Sequence, residues 1–257
     1  MGQGNRGVGK MRREDMIGRE SYFWHKLHSL TGMIPTGFYL VQHLTLNSFA
    51  LGGPEKFNGV IQFFEGMPKH FLYFLKFGVI WPALIFHAVY GLFIIARSEG
   101  NYSKASMKFR ENKYYTLQRW SGIFAFVFLA YHLATTSVLG MVKGAESTIY
   151  YENWADKLAA PFGLHLVLLF YVLGVLASSY HFAYGVWNFS IRWGIAISDS
   201  AQQKVAKLSQ GLFVAVSAIG ILALFGFFNP VLESKGHSKG AVNVEQSLEV
   251  PSKPVSR

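Results

Sequence analysis

The sequence predicts an all-α integral membrane protein with five transmembrane helices, the first four forming a bundle. Three observations carry this. Hydrophobic residues make up 51% of the 257 and charged residues only 15%, too few charges for the surface of a soluble domain of this size. The apolar residues gather into five long runs. The basic residues flank those runs instead of lining one face.

Residues 1–20 are polar, rich in Gly and Arg, and hold no apolar core segment, so no cleavable signal peptide is expected. Glu14, Asp15 and Glu20 interrupt the basic stretch, which argues against a mitochondrial transit peptide. The apolar runs cover 23–50, 71–96, 120–142, 161–189 and 208–228. Each reaches the roughly 20 residues needed to cross about 30 Å of hydrocarbon. Pro35 and Pro82 fall inside the first two, as membrane helices tolerate when neighbouring groups satisfy the released carbonyls. The resulting division is a polar N-terminal segment 1–20, a transmembrane domain 21–230 and a polar tail 231–257, expected to be disordered. His237 in the tail reads as a solvated histidine.

Loop charge sets the orientation. The N-terminal region through Lys26 and the loops after the second and fourth spans carry 15 Lys and Arg, against five in the opposite-side loops. The N-terminus is therefore expected in the cytoplasm and, with five spans, the C-terminus outside. This distribution also accounts for the net charge of +10 without nucleic acid as a partner. The chain has no cysteine, which excludes disulfides, iron–sulfur ligation, covalent haem attachment and Cys-based zinc sites.

Four of the nine histidines lie deep in four different spans: His43, His87, His132 and His181. A single intramembrane histidine reads equally well as a hydrogen bond across a helix interface. Four of them, one per helix at matched depths, point to axial ligation of haem iron by neutral imidazole. His43 and His132 come late in outward-running spans, whereas His87 and His181 come late in inward-running ones. Depth thus pairs His43 with His132 at an outer haem and His87 with His181 at an inner one, two haems stacked in the bundle. His87 to Gly91 and His181 to Gly185 share the pattern His-x-x-Tyr-Gly. Glycine four residues on lies on the same helix face, where a missing side chain lets a flat porphyrin approach.

The cluster Trp24-His25-Lys26-Leu27-His28-Ser29 stands at the cytoplasmic mouth of the first span, and Arg119 at that of the third. Two readings stay open for both: partners for haem propionates, or an interfacial basic and aromatic belt. His70 and His165 read as interface residues. Glu65 reads as a solvated loop acid or as a proton acceptor near an outer quinone. No Asp or Glu lies inside a span, so no carboxylate proton relay is visible.

At LHSLTGMIPTGFYLVQHLTLNSFA, FHAVYG, LQRWSGIFAFVFLAYH, and SSYHFAYGVWNFSIRWGIAIS followed by Gln202, the sequence resembles the cytochrome b subunit of succinate:quinone oxidoreductases, the succinate dehydrogenase and fumarate reductase group. It is most similar to the single-chain, five-helix, di-haem type, over residues 27–228. The resemblance implies a bacterial cytoplasmic-membrane anchor for a flavoprotein subunit and an iron–sulfur subunit. FAD and iron–sulfur clusters then belong to those partners. Electrons pass between the iron–sulfur centres and quinone through two haems b, and the di-haem type favours menaquinone. The chain would carry the quinone-reactive part of the oxidoreductase and not the succinate or fumarate site. Carried over, the resemblance makes His43, His87, His132 and His181 the axial ligands and places His28 and Ser29 near the inner haem. A reading from another class is a haem-free anchor or a proton-coupled transporter that uses histidine, which a visible spectrum separates from the first.

Overall fold

The computed structural model describes residues 13–98, 110–144, 148–159 and 165–228, with only the backbone for 13–21, 110 and 111. Residues 1–12, the middle of the 97–119 loop and the tail 231–257 with His237 lie outside the described residues. Among the described residues every regular element is helical.

Helix α1 (Arg13–Thr31) continues through a π turn (Gly32–Gly37) into α2 (Phe38–Asn47) and a 3-10 turn (Ser48–Gly52). The expected first span, 23–50, is helical from end to end. Four other helical runs are long and apolar enough to cross a membrane: Lys69–Ala96, Asn112–Lys143, Leu166–Arg192 and Asp199–Gly226. Thr31, Thr36, Gln42, His43, Thr45 and Asn47 dilute the apolar character of the first. Lys69–Ala96 consists of α4 (Lys69–Tyr73), a π turn (Phe74–Ile80) and α5 (Trp81–Ala96). The third run consists of α6 (Arg110–Leu133), a π turn (Ala134–Val138) and α7 (Leu139–Lys143). Two further helices, α9 (Leu166–Arg192) and α10 (Asp199–Gly226), are unbroken. Helix α10 begins nine residues before the apolar run at 208, because its first turns are polar but still helical.

The prolines sit where the helices depart from α geometry. Pro35 lies inside the first π turn, and Pro82 is the second residue after the second one. Proline removes one N–H and its ring clashes with the carbonyl four residues back; a wider turn relieves that clash. Those two π turns pack against each other.

The loops after the first and third helical runs hold two short helices, α3 (Pro54–Glu65) and α8 (Tyr151–Leu158). Gly53 starts α3 at φ 86°, a left-handed conformation open to glycine, with Pro54 in the first turn where no N–H is needed. The Asn153 side chain accepts from the Tyr150 backbone N–H at 3.2 Å and closes a capping box on α8.

The chain divides into two compact units. The first takes its described residues from Met1–Leu40, His70–Ile123 and Tyr180–Gly211. In it α1 packs along α5, and Phe182 fills the space left by Gly37, where a Cβ would come within 2.3 Å of the ring. Tyr114, Tyr180 and Tyr184 form an aromatic file, with centroids 4.9 Å and 4.3 Å apart. The second unit takes its described residues from Val41–Lys69, Phe124–Ser179 and Leu212–Arg257. There Leu44 and Val175 close on Gly220, Phe128 lies over Gly174, and Gly226 meets the backbone of Ala50 and Leu51. The Tyr151 hydroxyl donates to the Gly226 carbonyl at 2.8 Å, which seats α8 on the end of α10.

Large apolar side chains such as Phe38, Phe74, Val89 and Val214 are exposed along the long helices. This is the surface hydrocarbon would cover, and all backbone bonding there is internal to the helices. A glycine packed directly on backbone supplies a test. A Cβ on Gly226 would stand 2.6 Å from backbone atoms of Ala50 and Leu51, which cannot swing aside, whereas Gly59 in α3 has nothing within 4 Å. Gly226→Ala should cost about 1–3 kcal/mol by overpacking, and Gly59→Ala should be neutral or stabilising by up to about 1 kcal/mol. Thermal unfolding in mild detergent should show a lower midpoint for the first variant only.

Candidate functional site

In the first unit α5 carries His87 and α9 carries His181, with ring centroids 5.9 Å apart and planes at 76°. His87 donates from Nδ1 to the His28 backbone carbonyl at 2.9 Å, and His181 donates from Nδ1 to the Gln118 carbonyl at 3.1 Å. A carbonyl only accepts, so the proton sits on Nδ1 and the Nε2 lone pair is available in both rings. Gln118 returns a bond from its side-chain Nε2 to the His181 carbonyl at 2.9 Å, a two-point clamp between α6 and α9. The His28 ring stacks on His87 at 4.2 Å with planes 7° apart.

Two glycines make room for these rings. A Cβ on Gly32 would lie 2.2 Å from the His87 ring, and one on Gly122 would lie 2.8 Å from the His181 ring. Real Cβ atoms do not approach that closely, so each imidazole is seated against bare backbone of the neighbouring helix.

In the second unit α2 carries His43 and α6 carries His132, with ring centroids 5.8 Å apart and planes at 75°. The Nδ1 of His132 is 3.3 Å from the Tyr171 hydroxyl on α9. Phe128 and Trp154 each lie near parallel to the His132 ring, at 5.9 Å. Trp154 is placed by α8, which α3 holds mainly through Asn58. Asn58 accepts from the Tyr151 backbone N–H at 2.9 Å and donates to the Glu152 carboxylate at 3.3 Å. The Tyr150 hydroxyl donates to Glu65 at 3.0 Å and adds a second tie between the same two loops.

Both pairs fit a porphyrin iron. Two metal–imidazole bonds of about 2 Å, with each Nε2 about 1 Å from its ring centre, put the centroids about 6 Å apart. The observed separations are 5.9 Å and 5.8 Å. Among the described residues no group of three or more His, Cys, Asp or Glu side chains is arranged to hold a metal ion by itself. Two axial imidazoles suffice when a macrocycle supplies the other donors.

No family model matches the chain. It is 35% identical over 212 residues to the succinate dehydrogenase cytochrome b558 subunit of Bacillus subtilis (strain 168), a match covering 82% of this chain and all of the relative. The chain belongs to the succinate dehydrogenase cytochrome b subunit family. The resemblance read from the sequence is therefore a kinship along most of the chain.

In this family member, the structure brings together the two histidine pairs that depth ranking produced. The remaining expected residues are placed as follows. Gly91 faces His28, whose Nε2 would be 3.1 Å from an added Cβ, while Gly185 has only Gln118 nearby, at 3.9 Å. Ser29 donates to the Lys26 carbonyl at 2.8 Å and accepts from the Trp193 indole N–H at 3.0 Å. Arg119 bonds the Tyr115 hydroxyl on its own helix and covers that ring at 3.9 Å. Glu65 is exposed and bonded to Tyr150. His70 is exposed, and His165 touches Phe228 edge-on at 5.7 Å.

Gly32, Gln118 and Gly122 were not singled out from the sequence. The signal was a second short repeat: Leu27-His28-Ser29-Leu30-Thr31-Gly32 and Leu117-Gln118-Arg119-Trp120-Ser121-Gly122 share Leu-x-x-x-Ser/Thr-Gly. In both, the second residue supplies the carbonyl that takes the imidazole proton, and the glycine four residues later lies under that imidazole. Lys157, Tyr171 and Trp154 around His132 carry no comparable pattern, since they meet only through the tertiary fold.

Replacing Asn58 tests whether α3 positions α8. Asn58→Ala strands the Tyr151 N–H and should cost about 1 kcal/mol. Proteolysis of the 148–159 loop should accelerate, and Trp154 fluorescence should shift to the red. An unchanged digestion rate would show that the loop holds itself.

Proposed function

We propose that the chain is the membrane anchor and cytochrome b subunit of a succinate:quinone oxidoreductase, with an inner haem b between His87 and His181 and an outer haem b between His43 and His132. The observation that carries this is the pair of imidazoles at 5.9 Å, both with the proton on Nδ1 and Nε2 available. The second pair at 5.8 Å and the name of the Bacillus subtilis relative support it. When bound, haem b supplies one-electron transfer between an iron–sulfur subunit and membrane quinone.

The protein's own part is positioning. The carbonyls of His28 and Gln118 fix the tautomer and aim each imidazole, and Gly32 and Gly122 let the rings sit against backbone. Gly91 and Gly185 leave the facing helix surfaces low enough for a porphyrin edge. His28, Ser29 and Arg119 are the propionate candidates at the inner haem; Ser29 and Arg119 would exchange Trp193 and Tyr115 for a carboxylate. Glu65 is the candidate proton acceptor for an outer quinone, for which menaquinone is favoured.

The first helical run completes five spans, within a domain reaching from 21 to 230. Loop charge puts the N-terminus in the bacterial cytoplasm and the C-terminus outside. The loops 97–119 and 191–207 face the cytoplasm, too short for an enzyme domain and suited to docking the iron–sulfur and flavoprotein subunits. The succinate site and FAD belong to those partners.

A pyridine haemochrome assay on the purified protein should find two haems b per chain, and a ratio near zero would overturn the reading. Redox titration of variants tests the pairing. His87→Ala and His181→Ala should abolish the same potential, and His43→Ala and His132→Ala the other. Loss of one potential by both His43→Ala and His181→Ala would contradict it.

A further inference from the structure

Lys157 sits on α8 with its ammonium 4.6 Å from the Trp154 ring centre, 5.3 Å from that of Tyr171 and 5.5 Å from that of Tyr131. Among the described residues it donates one hydrogen bond, to the Thr135 hydroxyl at 2.7 Å. An ammonium has three donors, so it can bind a further acceptor without giving up Thr135. Aromatic faces attract a cation but do not replace a carboxylate. Burial is the sole cause acting on the group, lowers its pKa to about 8, and no carboxylate offsets it among the described residues.

The cage is also wired to His132. Thr135 is one turn, about 5 Å, along the helical run from His132. The Thr135 hydroxyl lies 3.4 Å from the His132 carbonyl, and the Tyr171 hydroxyl stands 3.3 Å from the Nδ1 of His132. Lys157, Thr135, Tyr171 and His132 thus form one hydrogen-bonded chain, all within the second unit. A porphyrin held by His132 would need cationic partners for its two carboxylates, and Lys157 is the cation that this chain of bonds joins to that ring. The expected propionate partners His28, Ser29 and Arg119 all belong to the first unit, so the carboxylates beside His132 have none assigned.

We infer that Lys157, oriented by Thr135 and the three rings, is the binding site for a porphyrin carboxylate at the His43–His132 pair. This rests on the proposed haem at that pair. The ammonium would add to its Thr135 bond a charge-assisted bond to the carboxylate. It also places a positive charge beside the group, which favours the reduced form.

The test uses the full complex in membranes, with Lys157→Gln, Lys157→Arg and Thr135→Val. Haem content is measured first. Two haems in the unmodified protein uphold the underlying reading whatever Lys157 does, and none would overturn that reading separately. In Lys157→Gln the potential of the His43–His132 haem should fall by a tenfold change in its reduction equilibrium, about 59 mV for one electron, while the other potential stays. Lys157→Arg should restore it. Thr135→Val should move the same potential in the same direction by less, and it decides the matter if Lys157→Gln fails to assemble. Unchanged potentials in Lys157→Gln, or in Thr135→Val where that alone assembles, would overturn the proposal. So would an equal shift of both haems.

Discussion

An imidazole in hydrocarbon has to give its one N–H to something, and the choice of acceptor decides what the ring can do. His87 and His181 give theirs to backbone carbonyls, which cannot compete for a metal and cannot donate in return. That choice forces the rest of the first unit. The carbonyl donor helices must come close, so each presents a glycine under the ring it serves. Gln118 then answers the His181 carbonyl, so that the contact is held at two points.

The same device appears twice. The stretch from Leu27 to Gly32 works on His87, and the stretch from Leu117 to Gly122 works on His181. From the glycine to the next histidine in the same helical run is 11 residues in the first case, Gly32 to His43, and 10 in the second, Gly122 to His132. The longer interval contains the π turn at Gly32–Gly37, and the shorter one is α-helical throughout. A π turn is an α-helix with one residue inserted. The second pair is held differently, by a tyrosine hydroxyl and flanking aromatic rings, under a cap of α8 tied to α3 by Asn58.

Fold class, the four later spans and both histidine pairs were legible in the sequence, because each rests on a one-dimensional signal. Apolar run length reports spans, and alternation of direction ranks depth. The first expected run, 23–50, is helical but carries Thr, Gln, Asn and His side chains along its course, so apolar character marks it less sharply as a span. The loop helices were missed because eight to twelve residues of mixed polarity give little periodicity, and their stability comes from Phe57, Tyr151 and Trp154 packing against Phe227. The surroundings of His132 were illegible for a related reason. Thr135, Trp154, Lys157 and Tyr171 lie on three separate elements, and only the tertiary fold brings them to one ring.

The two pairs of imidazoles, crossed at 76° and 75°, are proposed to hold one iron each. Low-temperature EPR of the oxidised protein tests this most directly. Crossed imidazole planes leave the ferric d orbitals nearly degenerate, so the account predicts two distinct, highly anisotropic low-spin signals and no stoichiometric high-spin signal. A single low-spin signal, a pair of ordinary rhombic signals from parallel planes, or a full high-spin component would contradict it.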